Sequence, residues 1–169
     1  MSLAAIQKKA KAKPSIVIIY GPSGLGKTTL AVGSKNPVVL QTEEGLGILT
    51  NNRDIPHFPL SKDYDTFHGY LKSLVDADEL EYNTLVIDSL DWLEPLIHAK
   101  TCEAHKQPSI ESFGYGRGYA EALKYWREVL DLVNRLRSEK KMRIVMIAHN
   151  QIKAFHDPST EAYDRHELK

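Results

Sequence analysis

One cysteine, Cys102, stands among 169 residues. A lone thiol closes no internal disulfide, so the chain is expected to hold together by burial, as proteins of a reducing cytoplasm do. No apolar run approaches the ~20 residues that a membrane span requires. The lysine-bearing N-terminus has no apolar core of the kind a secretory signal carries. Charge of one sign is also lacking. The 22 basic residues balance 22 acidic ones, which leaves no overall field for a large nucleic-acid footprint. The balance breaks only locally: Lys8, Lys9, Lys11 and Lys13 face no acid within the first 13 residues, and residues 1–14 read as a solvated basic tail. There are no internal repeats. What is present, 42% hydrophobic and 26% charged residues, is the composition of an ordinary soluble domain with a sizeable core. That domain is expected over residues 15–169.

Short apolar, β-branched runs at 16–20, 37–41, 84–87 and 143–148 read as buried strands. Residues 55–60 read as a short edge strand. Helical spacing of Phe67, Leu71, Leu74 and Val75 predicts a helix over 63–77. A second helix is expected over 89–105, with Pro95 marking a kink or restart. The third, over 119–138, carries Tyr119, Leu123, Trp126, Leu130, Val133 and Leu136 as one stripe, read as core. Strands alternating with helices imply an α/β fold, a mostly parallel sheet with helices on both faces. Ligands of such sheets bind beyond the carboxyl ends of the strands, so the polar residues there come first.

Gly21, Pro22, Ser23, Gly24, Leu25, Gly26, Lys27 and Thr28 match G-x-x-x-x-G-K-[ST] at every fixed position. The match lies between an apolar strand and the helix-forming Thr29-Leu30-Ala31-Val32, the context in which backbone N–H groups cradle phosphates. Lys27 is expected on the β- and γ-phosphates and the Thr28 hydroxyl on Mg²⁺. Asp88, closing the strand Leu85-Val86-Ile87, is the second expected metal ligand. Ser89 follows it where many P-loop ATPases place a water-activating Glu. The base is therefore expected from another strand end, where Gln41-Thr42-Glu43-Glu44 offers two carboxylates, Glu43 before Glu44. The last strand ends in His149, Asn150 and Gln151, with His149 favoured over Gln151 as the group that senses the γ-phosphate. Ahead of the long helix, Phe113, Tyr115 and Tyr119 interleave with glycines and Arg117. This loop either stacks the bases of a single strand or closes the edge of the core.

Together these segments resemble the RecA-like ATPases, and among them bacteriophage RecA-like ATP-binding proteins linked to recombination and single-strand annealing. The resemblance runs from about Ser15 to Lys169. It rests on Thr42-Glu43-Glu44-Gly45, Val86-Ile87-Asp88-Ser89, Phe113-Gly114-Tyr115-Gly116-Arg117-Gly118-Tyr119 with Trp126, and Ala148-His149. It implies a RecA-like P-loop core, C-terminally shortened, that binds ATP with Mg²⁺. It implies catalytic roles for Lys27, Glu43 and His149, phosphate binding by residues 21–29 including Thr29, and metal binding by Thr28 and Asp88. It further implies a homo-oligomer, in which Arg117 can serve a neighbour's nucleotide, single-stranded DNA as a partner, and a place in the cytoplasm of a bacterial host. The chain departs from RecA in putting His149 where Asn-Gln stands directly at the strand end. Three other readings are weaker. A nucleotide kinase needs an arginine cluster where only Arg53 stands. A non-catalytic binding module would use ATP to order the loop from Gln107 to Gly118 for a protein partner. A typical AAA+ ATPase is disfavoured by Ser89 after Asp88. His98, Cys102 and His105 share a helical face but have no evident fourth zinc ligand, and read as structural.

Overall fold

The computed structural model describes residues 12–47, 54–155 and 163–168. Most of the expected basic tail, and Arg53, lie outside these residues. The chain runs β1 (Ile16–Gly21), α1 (Lys27–Val32), β2 (Pro37–Gln41), α2 (Tyr64–Asp76), β3 (Thr84–Asp88), α3 (Leu90–His105), a 3-10 turn (Glu111–Phe113), α4 (Arg117–Ser138), β4 (Arg143–Phe155) and β5 (Tyr163–Leu168). Four strands form a parallel sheet in the order β1-β4-β3-β2. The sheet thus sets β4 between the strand that feeds the Gly-rich loop and the strand that ends in Asp88.

The apolar runs follow from burial on two faces. Val38 and Leu40, Leu85 and Ile87, and Ile144 and Met146 point to one side and meet Phe67, Leu71, Leu93, Ile97, Val129 and Val133 of α2, α3 and α4. Val39, Val86, Val145 and Ile147 point to the other side and meet Ala31 and Val32 of α1. Alternate residues of one strand thus serve opposite layers, and each fully buried Leu or Ile stabilises by about 1.5–3 kcal/mol. Helix α2 begins where expected because the Asp63 carboxylate accepts the Thr66 N–H at 2.7 Å. No helix among the described residues is long and apolar enough to cross a membrane.

Three expectations need correction and one is narrowed. Of the kink or restart expected at Pro95, the restart is absent, because helix α3 runs on through it. The proline lies early in the helix, and its missing N–H costs only the Asp91 carbonyl a partner. Residues 55–60 form no strand, only one parallel bridge between His57 and Val39. Strand β1 is not buried: it is the sheet edge among the described residues, with Val17, Ile18 and Tyr20 exposed. The long helix buries a stripe rotated from the expected one. Gly118, Ala122, Tyr125, Val129, Leu132, Val133 and Leu136 face inward, while Tyr119, Leu123 and Leu130 are about half exposed.

Gly118 explains the rotation at its N-terminal end. A Cβ there would collide with the Ile110 carbonyl and lie 2.9 Å from the Phe113 ring. The loop packs so closely on the helix that only glycine fits. Gly118→Ala is expected to destabilise by about 1–3 kcal/mol, the usual effect of overpacking against backbone, read as a lower urea midpoint at unchanged m-value.

Candidate functional site

The carboxyl ends of β1, β2, β3 and β4 open onto one cleft of about 430 Å³. Its lining combines Ser23, Gly24, Gly26, Lys27, Thr28 and Thr29 with Glu43, Glu44, Asp88 and His149. Every one of the expected catalytic and metal residues therefore reaches the same space, from four separate strand ends.

The loop takes its shape from left-handed backbone at Gly24 (φ 79°) and Gly26 (φ 86°), which side chains with a Cβ rarely adopt. It wraps Lys27, a residue 7% exposed overall, whose ammonium donates to the carbonyls of Gly21 at 3.0 Å and Pro22 at 2.9 Å. A buried cation held by neutral carbonyls is a fit for phosphate oxygens. The Thr28 hydroxyl donates to Asp88 at 2.7 Å, so a hard oxygen pair from two elements stands ready for a divalent cation.

Asp88 itself is buried, and burial raises its pKa above the ordinary carboxylate value. The Thr28 hydrogen bond opposes the rise, the nearby Glu43 charge adds to it, and His149 and Lys27 oppose it. Desolvation of a carboxylate next to a second carboxylate is the electrostatic situation a bound cation relieves. A raised folded pKa means the ionised group costs stability above that pKa, and the cost disappears as pH falls through it toward the ordinary Asp range. In nucleotide-free, metal-free protein, Asp88→Asn is therefore expected to raise the melting temperature at neutral pH, with the gain shrinking on acidification. A thermal melt series across pH checks it. The same substitution is expected to weaken Mg²⁺-dependent nucleotide binding.

Glu43 and Glu44 separate by exposure. Glu43 is half-buried and Glu44 is exposed, and it is Glu43 whose charge registers at Asp88. Thr42, missed by sequence reasoning, holds this corner. Its hydroxyl donates to the Ser89 carbonyl at 2.7 Å and accepts the Ser89 N–H at 2.9 Å, while its own N–H donates to the Asp88 carbonyl at 2.7 Å. The ends of β2 and β3 are thereby tied together, which fixes where Glu43 begins relative to Asp88.

His149 lines the cleft, whereas Gln151 is exposed two residues further on, opposite Glu167 in an antiparallel ribbon of β4 and β5. The expected strand end at Ala148 is thus a passage: β4 continues to Phe155. The aromatic loop splits in two. Phe113 packs on the core and on the His105 ring, Tyr119 donates to Glu111 at 3.1 Å, and Tyr115 is fully exposed with φ 47°. Arg117 is exposed at the start of α4. None of these four is among the described residues of the cleft. On α3, His98 meets the Tyr119 ring edge-on and His105 meets Phe113, so the two histidines pack against separate aromatic rings.

A cleft of this kind, at the carboxyl ends of a parallel sheet and closed by a Gly-rich loop, defines a P-loop nucleotide-binding domain of the ATPase class. The sequence matches the AAA domain family over residues 13–169, and the chain belongs to that family. Ser89 after Asp88, which argued against a typical AAA+ ATPase, does not keep the chain out of the AAA domain family. The chain is also similar to the SPbeta prophage-derived uncharacterized protein YorG of Bacillus subtilis (strain 168), at 24% identity over 136 residues. That match covers 79% of this chain and 40% of the prophage protein, so the chain spans well under half the length of the relative.

Proposed function

We propose that this chain is a Mg²⁺-dependent ATPase of RecA-like type, acting on phage DNA in recombination or single-strand annealing in the cytoplasm of a bacterial host. The observation that carries the reading is the convergence of Lys27, Thr28, Asp88, Glu43 and His149 on one cleft from four strand ends. In this reading residues 21–29 hold the triphosphate, and Lys27 neutralises the β- and γ-phosphates. Thr28 and Asp88 hold Mg²⁺, which when bound draws charge from the leaving phosphates. Glu43 takes a proton from water in line with the γ-phosphate, and His149 meets the γ-phosphate side of the site. The similarity to a prophage-derived protein supports a phage setting.

Single-stranded DNA as partner is supported by Tyr115, exposed beside Arg117, since a free ring and a cation are what a base and its phosphate require. A homo-oligomer is supported by the apolar Val17, Ile18, Tyr20, Leu25 and Leu30, all exposed on β1, the loop and α1. The test is steady-state ATP turnover with and without Mg²⁺ and with and without single-stranded DNA, at several protein concentrations. Turnover that requires Mg²⁺, rises with DNA and rises per chain with concentration supports all parts. Tight ATP binding with no turnover under every condition would replace the ATPase by a nucleotide-dependent binding module.

A further inference from the structure

His149 is held by a residue that carries no role so far. Its backbone N–H donates to Asp91 Oδ2 at 2.7 Å, and its ring Nδ1 lies 2.8 Å from the same oxygen. The Asp91 side chain is 7% exposed and that of His149 21%. Asp91 sits in the first turn of α3, the helix that begins directly after Asp88 and Ser89, where a carboxylate is favoured by the helix dipole. Its second oxygen, Oδ1, is buried without a hydrogen-bond partner, so the carboxylate is committed to His149 rather than shared out.

The geometry points to Asp91 as the positioning residue for His149 at the γ-phosphate end of the cleft. This rests on the proposed role of His149 and adds to it the group that makes the role specific. A carboxylate oxygen accepts and does not donate, so Nδ1 must carry a proton. That fixes the tautomer and leaves Nε2 as the ring nitrogen for the ligand, the same logic by which a buried Asp orients a catalytic histidine. With a second proton on the ring Nε2 donates to a phosphate oxygen, and without it Nε2 accepts from water. In either case Asp91 decides which nitrogen is presented and from what angle. The paired backbone contact anchors the strand itself, so ring and main chain are registered to α3 through a single oxygen. Because α3 follows directly from the Asp88 strand end, the histidine is indexed to the metal side of the cleft.

Two measurements test this. In nucleotide-free full-length protein, ¹H–¹⁵N spectra of the His149 ring at alkaline pH should show the Nδ1–H tautomer, changing to Nε2–H in Asp91→Ala. Wild-type protein already in the Nε2–H form overturns the assignment. In MgATP turnover, Asp91→Ala should lower kcat about 10–100-fold, the usual loss on removing an orienting partner, with KM for ATP changed less than about threefold. Asp91→Asn, which keeps an accepting oxygen, should recover part of that loss, and melting curves on both variants verify the fold. The double variant Asp91→Ala/His149→Ala should turn over no more slowly than His149→Ala alone. Multiplied losses, or an impaired His149→Ala beside an unimpaired Asp91→Ala, overturn the Asp91 role and leave that of His149 standing. Unimpaired turnover in His149→Ala overturns both.

Discussion

Lys27→Ala is expected to lower MgATP turnover by about 10²–10³-fold or more, with the loss appearing first in nucleotide affinity. The ammonium is nearly enclosed by its own loop, donating to the carbonyls of Gly21 and Pro22. In that position it is held at the cleft by its own loop before any phosphate arrives. A preorganised donor contributes more to an anionic ligand than a freely moving lysine does, and deleting one such donor costs on that scale. Alanine removes the charge, and with it the only basic side chain among the described residues of the cleft apart from His149. The fold should survive, because α1 buries Ala31 and Val32 against the sheet independently of Lys27. The check is a pair of measurements: ATP affinity by calorimetry and the melting temperature of the same preparation. Loss of affinity at a melting temperature within a few degrees of wild type is the expected pair. Wild-type affinity would remove the lysine from the phosphate site.

The ends of β1, β2 and β3 were legible in the sequence because their chemistry is carried by residue types at fixed local spacing, whereas β4 runs on past Ala148 to Phe155. A Gly-rich loop needs its glycines where the backbone turns left-handed, as Gly24 and Gly26 do. An apolar strand that closes on Asp88 declares both its burial and its exit. Other features depended on context that no local pattern holds. A continuous apolar run reads the same in the middle of a sheet as at its edge, so the exposure of Val17, Ile18 and Tyr20 on β1 was not foreseeable. Helix α4 has apolar residues on two overlapping stripes, and the close approach of the Ile110 carbonyl to Gly118 helps set which one turns inward. The pairing of Asp91 with His149 spans 58 residues. Neither residue, read in its own segment, names the other. Thr42 likewise gains its meaning only when β2 and β3 lie side by side in register, with Gln41 opposite Asp88.

In the proposed mechanism Glu43 is the base, and Glu43→Gln is expected to separate binding from hydrolysis. Ser89 leaves the position after Asp88 without a base, and the Thr42 hydrogen bonds to Ser89 carry the start of the Glu43 segment to the same corner. Glutamine keeps the length and most of the hydrogen-bonding capacity of the side chain but cannot accept a proton from water. Loss of a general base removes about 10²–10⁴ in rate, so kcat should fall by that amount. Affinity for MgATP should hold or tighten. The Glu43 charge is one of the causes that raise the Asp88 pKa, and removing it leaves Asp88 more readily ionised and a better cation ligand. A slow-turnover variant that binds MgATP at least as well as wild type is thus the expected result, measured by single-turnover hydrolysis beside equilibrium binding. Glu44→Gln is the comparison: Glu44 also lines the cleft, but the residue is exposed and its charge is not among the causes acting on Asp88, so turnover should fall far less than in Glu43→Gln. Wild-type rates in Glu43→Gln would remove it as the base. A large loss in Glu44→Gln alone would transfer the role to the neighbouring carboxylate.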